Sequence, residues 1–228
     1  MPDPRHPKFP ASIVTQSQPF SPPGHIPNPH AFRRLTDDER RASLEDYLKH
    51  WQKGHDLWIF GYGSLVWRPE FDFIEQRLAL VRGYHRSLCL WSRINRGTPE
   101  QPGLVFGLEN GGSCRGMVYR VAAKHVPDVL DELWKREMPS GAYVPRHLSC
   151  HTQHGAVGAL VFTMDKTKDS YVRDLQTHQL VDIVRRAHGT YGPCIEYVIE
   201  TNRALKDAGI HDRKLDDLVR HLNGAAPS

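Results

Sequence analysis

Two glycines interrupt an apolar run in the segment WIFGYGSLVW, residues 58–67. Glycine lets the main chain turn sharply and lets a ligand approach the backbone closely. Successive N–H groups in such a turn can form a concavity that binds an anion. The segment thus predicts a site for a carboxylate or a developing oxyanion, although a tight turn at a strand end would explain the same pattern. The candidate binding residues are Gly61, Tyr62, Gly63, Ser64, Leu65 and Val66.

Better-known glycine loops do not fit this segment. A dinucleotide-binding turn needs a third glycine and a helix directly after it, and a P-loop needs a Lys-Ser/Thr pair. A serine nucleophile on a strand–helix elbow needs glycine two residues before and after the serine. Here those positions hold Tyr62 and Val66. We therefore predict neither nucleotide binding nor a serine hydrolase.

A carboxylate continues the apolar face of a predicted helix in HVPDVLDELWKREM, residues 125–138. The apolar stripe of this helix, extended by one turn, reaches Glu137. A buried charge needs compensation, which an arginine such as Arg146 or fraying before Pro139 would supply. The alternative is a general base, because desolvation and the negative end of a helix dipole both raise a carboxyl pKa towards neutrality. The spacing leaves both explanations open.

The densest set of potential metal ligands is His147, Cys150, His151 and His154. On a strand, His147 and His151 share one face while the other two share the opposite face, so the four do not converge. The cysteines of the chain are Cys89, Cys114, Cys150 and Cys194. Their wide spacing, without a C-x-x-C pair, predicts free thiols in a reducing compartment. We predict no metal site and no cofactor.

Strands in the middle of the chain and helices around them must position these residues. A T-x-x-E capping box at Thr36 predicts a helix over 37–49. Strands are predicted over 57–60, over 76–92 as two strands around Gly83, over 104–121 as a hairpin with a Gly-Gly turn, and over 143–164 as two strands. The last third is predicted to be helical, with Pro193 at a first helical position and Gly209 at the end of that helix.

Short links between the predicted strands favour antiparallel pairing. The expected fold class is α+β, with a curved, mostly antiparallel sheet or small barrel flanked by helices. Residues 1–35 hold nine of the 17 prolines and show no apolar periodicity, which predicts an extended arm. Residues 36–228 are predicted to form a single domain.

The charge and hydropathy patterns limit the classes of binding partner that we expect. The formal net charge is +4, but acidic and basic residues interleave without a basic run, so we do not expect nucleic acid as a partner. The apolar runs are far shorter than the roughly 20 residues that a membrane span needs. The N-terminus lacks the apolar core of a secretory signal, so a cytoplasmic location is expected. No pattern in the sequence sets an oligomeric state.

Two motifs together resemble a known family. FGYGSLVW followed by LWKREMPSGAYVPR is similar to the ChaC-like γ-glutamylcyclotransferases, specifically the glutathione-directed branch. The segments RGYHRSLCLWS, RGTPEQPG, CRGMVYRV and GPCIEYVIETNRAL agree with this resemblance. It covers residues 57–222 and leaves out the proline-rich arm.

The resemblance implies a small mixed α/β fold around a curved barrel, and release of 5-oxoproline and cysteinylglycine from glutathione. It also implies that residues 61–66 hold the γ-glutamyl group, that Glu137 is the acid/base, and that Tyr143 lines the site. Two details differ from some members: an alanine separates Gly141 from Tyr143, and Met138-Pro139 follows the glutamate.

The implied reaction suits the residues, because the α-amine of the substrate is its own nucleophile and no enzyme nucleophile is required. The sequence leaves open whether the loop amides bind the oxyanion or the α-carboxylate. It also leaves open a cyclotransferase for other γ-glutamyl amino acids or amines. A non-catalytic γ-glutamyl-binding regulatory module and, more remotely, a cysteine- or metal-based hydrolase are further alternatives.

Overall fold

The computed structural model describes residues 33–224 and shows helices packed around a barrel. The helices are α1 (Asp37–Leu48), α2 (Val126–Glu137), α3 (Thr177–Arg186), α4 (Cys194–Asp207) and α5 (Arg213–Leu222). The strands are β1 (Leu57–Gly61), β2 (Glu75–Ser92), β3 (Gly103–Val121), β4 (Tyr143–Thr152), β5 (Gly155–Met164), β6 (His188–Gly189) and β7 (Gly192–Pro193).

Five strands close the barrel in the order β1-β3-β2-β4-β5. Their neighbours pair antiparallel, except that β1 pairs parallel with β5 and thereby closes the barrel. The predicted α+β class with a curved, mostly antiparallel sheet flanked by helices is confirmed. Residues 61–66, which we call the glycine segment, begin at the end of β1. Because β1 has a partner strand on each side, this end is fixed in position.

The two longest strands are continuous where the sequence predicted interruptions. β2 runs through Gly83 and β3 runs through Gly111–Gly112, so the two-strand prediction for 76–92 and the Gly-Gly hairpin are wrong. The pairing of the strands shifts register at this level, and all three glycines have positive φ. Glycine tolerates this conformation in a β-bulge, which bends the strands without ending them. The true hairpin loop is the segment 93–102 between β2 and β3.

Two apolar cores lie on opposite faces of β1. Phe60 belongs to the core that includes side chains of α3, α4 and α5. Leu57 and Ile59 belong to the core beneath α1 and α2. This alternation follows the two-residue period of a strand. The apolar face predicted for α2 packs into the second core, so the barrel and α2 are fixed to each other at the glycine segment.

The helix ends largely follow the sequence. The capping box of α1 is confirmed: the Thr36 hydroxyl accepts from the Glu39 N–H at 3.2 Å, and the Glu39 carboxylate accepts from the Thr36 N–H at 2.8 Å. Pro193, predicted as the first helical residue, is instead the N-cap of α4, which begins one residue later at Cys194. Gly209 follows α4 with a φ of 72°, as expected for a C-terminal glycine.

Residues 1–32 of the predicted 1–35 arm lie outside the described residues, as do 225–228. The division into an arm and a single domain over 36–228 therefore stays a prediction. Within 33–224, none of the helices combines the length and the apolar character that crossing a membrane requires. All four cysteines are described, and each is a buried free thiol, as predicted.

Candidate active site

A cavity of about 790 Å³ opens beside the C-terminal half of α2. Three predicted site residues line it: Ser64 from the glycine segment, Glu137 from the last turn of α2, and Tyr143 from the start of β4. These residues are as many as 79 positions apart in the chain, and barrel closure brings them to one place. Gly61, Tyr62, Gly63, Leu65 and Val66 are not among the described residues that line this cavity.

The two glycines of the segment are required by close packing inside the protein. A Cβ at Gly61 would lie 2.9 Å from the Cβ of Leu65, and one at Gly63 would lie 3.0 Å from the Tyr197 hydroxyl. Tyr62 and Leu65 point into the two different cores. The segment therefore crosses between the cores in a turn that side chains at 61 and 63 would obstruct.

The backbone amides of the segment are partly engaged. Residues Ser64–Val66 form one turn of 3-10 helix, in which the Val66 N–H donates to the Gly63 carbonyl at 3.0 Å. The N–H groups of Gly63, Ser64 and Leu65 donate to no acceptor among the described residues. Of the predicted anion-binding amides, those three and the amide of Tyr62 have no acceptor among the described residues, and the amide of Val66 has one.

Glu137 is a largely buried carboxylate at the cavity wall, with 17 % of its side chain exposed. α2 does not fray before it: the Met138 N–H still donates to the Trp134 carbonyl at 2.9 Å. The suggested partner Arg146 was wrong, because Arg146 donates to the Thr163 hydroxyl at 3.2 Å. Burial raises the pKa of Glu137, the adjacent charge of Arg136 opposes this rise, and the charge of Glu70 adds to it.

Arg136 joins Glu137 to the glycine segment. Its Nε lies 3.1 Å from the Glu137 Oε1, and its Nη2 donates to the Ser64 Oγ at 2.9 Å. Its Nη1 donates to the Arg68 carbonyl at 2.7 Å and to the Glu70 Oε2 at 2.9 Å. Sequence reasoning missed this residue. The only local indication was a basic residue in the last turn of α2, next to Glu137.

Two tyrosines hold the strand behind the site. The Tyr143 hydroxyl donates to the Phe106 carbonyl at 2.8 Å, and the Phe106 N–H donates to the Tyr197 hydroxyl at 3.1 Å. Burial, together with the charge of Glu137, raises the pKa of Tyr143 and of Tyr197 well above the ordinary tyrosine value. Both phenols therefore remain protonated at physiological pH. Tyr197 was not predicted from the sequence.

Positive charge dominates the cavity wall. Its cationic side chains are Arg34, Arg68, Arg93, Arg96, Lys135 and Arg136. Its carboxylates are Glu70, Glu132 and Glu137. A concave surface with an excess of one charge raises the local concentration of ligands of the opposite charge. The cavity is suited to a small anionic molecule that also carries a group for Glu137.

The four potential metal ligands named from the sequence lie in β4 or just after it, and they differ in burial. His147, His151 and His154 are exposed, whereas Cys150 is buried, so their side chains do not converge. Between residues 33 and 224, no three His, Cys, Asp or Glu side chains are grouped as metal ligands would be.

Comparisons with known proteins agree with this geometry. The model of the family described as ChaC-like protein matches residues 57–225. A glutathione-specific gamma-glutamylcyclotransferase of Escherichia coli (strain K12) is 34 % identical over 183 residues, covering 80 % of this chain and 79 % of the relative. The gamma-glutamylcyclotransferase 2-1 of Arabidopsis thaliana is 34 % identical over 176 residues, covering 73 % and 82 %.

A solved structure supports the fold. The crystal structure of a selenomethionine-labelled gamma-glutamyl cyclotransferase specific to glutathione from yeast superposes with a TM-score of 0.70 at 20 % sequence identity. The match covers 74 % of this chain and 96 % of the yeast chain. Since the family match spans the barrel, α2 and the C-terminal helices together, the chain belongs to the ChaC-like family.

Proposed function

We propose that this protein is a glutathione-specific γ-glutamylcyclotransferase, which releases 5-oxoproline and cysteinylglycine. The observation that carries the proposal is the position of Glu137, a largely buried carboxylate that lines a cationic cavity together with Ser64 and Tyr143. The named activity of the Escherichia coli relative, which aligns over most of both chains, supports the same choice of substrate.

The reaction is an internal aminolysis. The α-amine nitrogen of the γ-glutamyl residue attacks its own γ-carbonyl carbon and forms the ring C–N bond. The amide bond to cysteine then breaks, and the electron pair leaves with the cysteinyl nitrogen. The attacking nitrogen begins as an ammonium and ends as the lactam N–H, so it loses two protons. The departing nitrogen begins as the amide N–H and ends as the ammonium of cysteinylglycine, so it gains two, and water, an oxidant and a cofactor are not consumed. Holding such reactants in an attack geometry can replace about 7–11 kcal/mol of the barrier.

Glu137 is the group proposed to carry these protons, one at a time. The substrate amine arrives mainly as ammonium and must be deprotonated before it attacks. Burial raises the pKa of Glu137 and so makes it a stronger base, while Arg136 keeps the carboxylate form accessible. A base with a pKa closer to the working pH is more effective. The protonated Glu137 then donates to the nitrogen of the leaving cysteinyl residue.

The glycine segment is proposed to hold the γ-glutamyl group. The N–H groups of Gly63, Ser64 and Leu65, which have no described acceptor, are donors for its α-carboxylate or for the tetrahedral oxyanion. Loss of one such donor typically costs about 3–4 kcal/mol of transition-state stabilisation. The binding role of residues 61–66 is then divided: these three amides are proposed to bind, Ser64 at the cavity wall and Gly63 and Leu65 on either side of it, whereas Gly61, Tyr62 and Val66 shape the turn. Tyr143 fixes the opposite wall through Phe106.

A thiol nucleophile is disfavoured by burial. Burial raises the pKa of Cys89 and of Cys150 to about 12, and that of Cys114 and of Cys194 to about 11. Only the thiolate is an effective nucleophile, and such thiols are almost fully protonated near pH 7. This observation argues for an internal nucleophile in the substrate and against the cysteine-based hydrolase.

The proposal is tested by incubating the purified chain with glutathione and measuring 5-oxoproline and cysteinylglycine. We expect Glu137→Gln to lower kcat by about 10²- to 10⁴-fold, the usual contribution of general acid–base catalysis. Asp128→Asn, at an exposed position on the same helix, is the matched control and should keep normal turnover. Near-normal turnover by a folded Glu137→Gln protein would refute the assigned role.

A substrate panel separates the alternatives. Faster turnover of γ-glutamyl amino acids or amines than of glutathione would indicate a cyclotransferase of different specificity. Saturable binding of glutathione without any product would indicate a non-catalytic binding module.

A further inference from the structure

We propose that Leu35 is a positioning residue for the proposed reaction: it holds the loop 138–142 in place and thereby the carboxylate of Glu137. The inference rests on the proposed function. Leu35 lies outside residues 57–225, which the family model matches, so the motifs of the family assign it no role.

The loop 138–142 joins two candidate site residues that lie on different elements. It begins directly after Glu137, the last residue of α2, and ends directly before Tyr143, the first residue of β4. Both of its end residues are buried, whereas residues 139–141 are half-buried. Because Glu137 directly precedes the loop, a displacement of the loop changes the position of the Glu137 carboxylate.

Leu35 contacts the middle of this loop in two ways. Its N–H donates to the Pro139 carbonyl at 2.9 Å, and within residues 33–224 this is the only backbone hydrogen bond that reaches 139–141 from outside the loop. Its side chain lies over Gly141, where an added Cβ would be 3.2 Å from the Leu35 Cδ1 and 3.4 Å from its Cδ2. Gly141 has a φ of 64°, which glycine adopts without strain. The loop thus carries no side chain at the point where Leu35 packs against it.

Leu35 is itself fixed by α1, whose N-cap directly follows it. The Leu35 carbonyl accepts from the Arg40 Nη1 at 3.4 Å. α1 in turn packs on α2: the rings of Tyr47 and Trp134 lie 5.4 Å apart, and the Trp134 Nε1 donates to the Ser43 hydroxyl at 3.2 Å. The contact of Leu35 with the loop therefore belongs to one packed unit that contains α1 and α2.

A general base works only in a narrow range of positions, and a misplacement of about 1 Å can cost about 10²-fold in rate. Arg136 restrains the Glu137 carboxylate from within the same helix, whereas Leu35 restrains the chain that follows it. The amides proposed to bind the γ-glutamyl group lie in the glycine segment, away from this contact. We therefore expect loss of the Leu35 side chain to lower kcat and to leave KM nearly unchanged.

The test measures 5-oxoproline release from glutathione by Leu35→Ala, under conditions in which urea titration shows that the variant is folded. We expect kcat to fall about tenfold and KM to stay within about twofold of wild type. Leu48→Ala, the same substitution at a half-buried position of α1, is the matched control. It should lower the unfolding midpoint and keep the wild-type kcat. Leu35→Met, which conserves the apolar volume, should keep kcat within about twofold of wild type.

Gly141→Ala perturbs the same contact from the loop side, and it provides a second variant if Leu35→Ala does not fold. Its Cβ would press on the Leu35 side chain, so kcat should fall here as well. Leu35→Ala removes that obstruction. The loss of kcat in the double variant should therefore be at least about threefold smaller than the product of the two single losses.

A role that acts through Glu137 also predicts that Leu35→Ala lowers the residual turnover of Glu137→Gln by less than about twofold. A normal kcat for either folded single variant, Leu35→Ala or Gly141→Ala, would overturn the positioning role. So would single losses that simply multiply, or an equal loss of kcat in Leu48→Ala. A wild-type protein that produces no 5-oxoproline from glutathione would instead refute the proposed function itself.

Discussion

Two arginines hold the glycine segment from opposite sides, and their surroundings differ. Arg136 reaches it from the cavity side through the hydroxyl of Ser64, while Arg86 reaches it from the barrel side through the carbonyl of Tyr62. Each arginine also pairs with a carboxylate: Arg136 with Glu137 and Glu70, and Arg86 with Asp212. Both contacts are hydrogen bonds from a guanidinium that also pairs with a carboxylate, but the exposure of the two side chains differs.

The barrel-side contact, made by Arg86, is rigid because it is buried and has three hydrogen-bond partners. The Arg86 side chain is 3 % exposed. It donates to the Tyr62 carbonyl at 2.6 Å, to the Asp212 carboxylate at 2.5 Å and to the Arg115 carbonyl at 2.6 Å. Asp212 is also the N-cap of α5, where it accepts from the Leu215 N–H at 3.2 Å. The position of the glycine segment is therefore tied to the C-terminal helix.

The cavity-side contact, made by Arg136, is accessible to a ligand because its groups are partly exposed. Arg136 keeps 21 % of its side chain exposed, and one of its partners, Glu70, keeps 45 %. A ligand can compete for these groups, and the ionisation of Glu137 changes their mutual attraction. The comparison indicates that removal of the barrel-side arginine should mainly lower stability, whereas changes on the cavity side should mainly alter activity and its pH dependence.

The largest effect is expected from Arg86→Gln. Breaking a buried ion pair by removing one partner typically costs about 3–5 kcal/mol, because a charge is left uncompensated. The free energy of unfolding from urea titration should fall by this amount. Arg82→Gln, at an exposed position of the same strand, should stay within about 0.5 kcal/mol of wild type. A loss for Arg86→Gln no larger than that of the control would remove the distinction between the two contacts.

A smaller effect is expected from Ser64→Ala on the cavity side. The substitution removes the acceptor of the Arg136 Nη2 hydrogen bond, and a hydrogen bond to a charged group contributes about 1.5–3 kcal/mol. We expect kcat/KM for glutathione to fall by about 10- to 100-fold, with an unfolding midpoint close to that of wild type. Ser149→Ala on an exposed part of β4 is the control. Complete loss of turnover with normal substrate binding would instead indicate a covalent role for Ser64.

Sequence patterns predicted the residues of the candidate site that can be recognised from local spacing along the chain. Glu137 was found because it continues the apolar stripe of α2, and the candidate turn was found from its two glycines. Arg136 and Arg86 were missed because their partners are distant: Ser64 lies 72 residues from Arg136, and Asp212 lies 126 residues from Arg86. No local pattern encodes contacts that exist only after the barrel has closed.

The same limit explains the errors in the strands. Gly83 alone predicts a strand break, and Gly111–Gly112 alone predicts a hairpin. In the barrel these glycines lie at one level of the long β2–β3 pair and form bulges on both strands. The pairing partner decides whether a glycine ends a strand or bends it, and the partner is not visible in a local sequence window.

The smallest expected effect is a shift in the pH dependence of activity. The direction of this shift should differ between variants of Arg136 and variants of Glu70. The acid limb of the kcat/KM profile reports the pKa of the free base, and activity is lost as pH falls through that pKa. Arg136 lowers the pKa of Glu137 and Glu70 raises it. Arg136→Gln should therefore move the acid limb to higher pH, and Glu70→Gln should move it to lower pH.

We expect the Glu70→Gln shift to be the smaller of the two and to be reduced by salt, because that carboxylate is partly exposed. Asp131→Asn changes an exposed charge on the same helix as Glu137 and should leave the limb in place. Shifts in the same direction for Arg136→Gln and Glu70→Gln would show that the limb does not report Glu137. Opposite shifts would show that the limb reports a group that feels both charges, as Glu137 does.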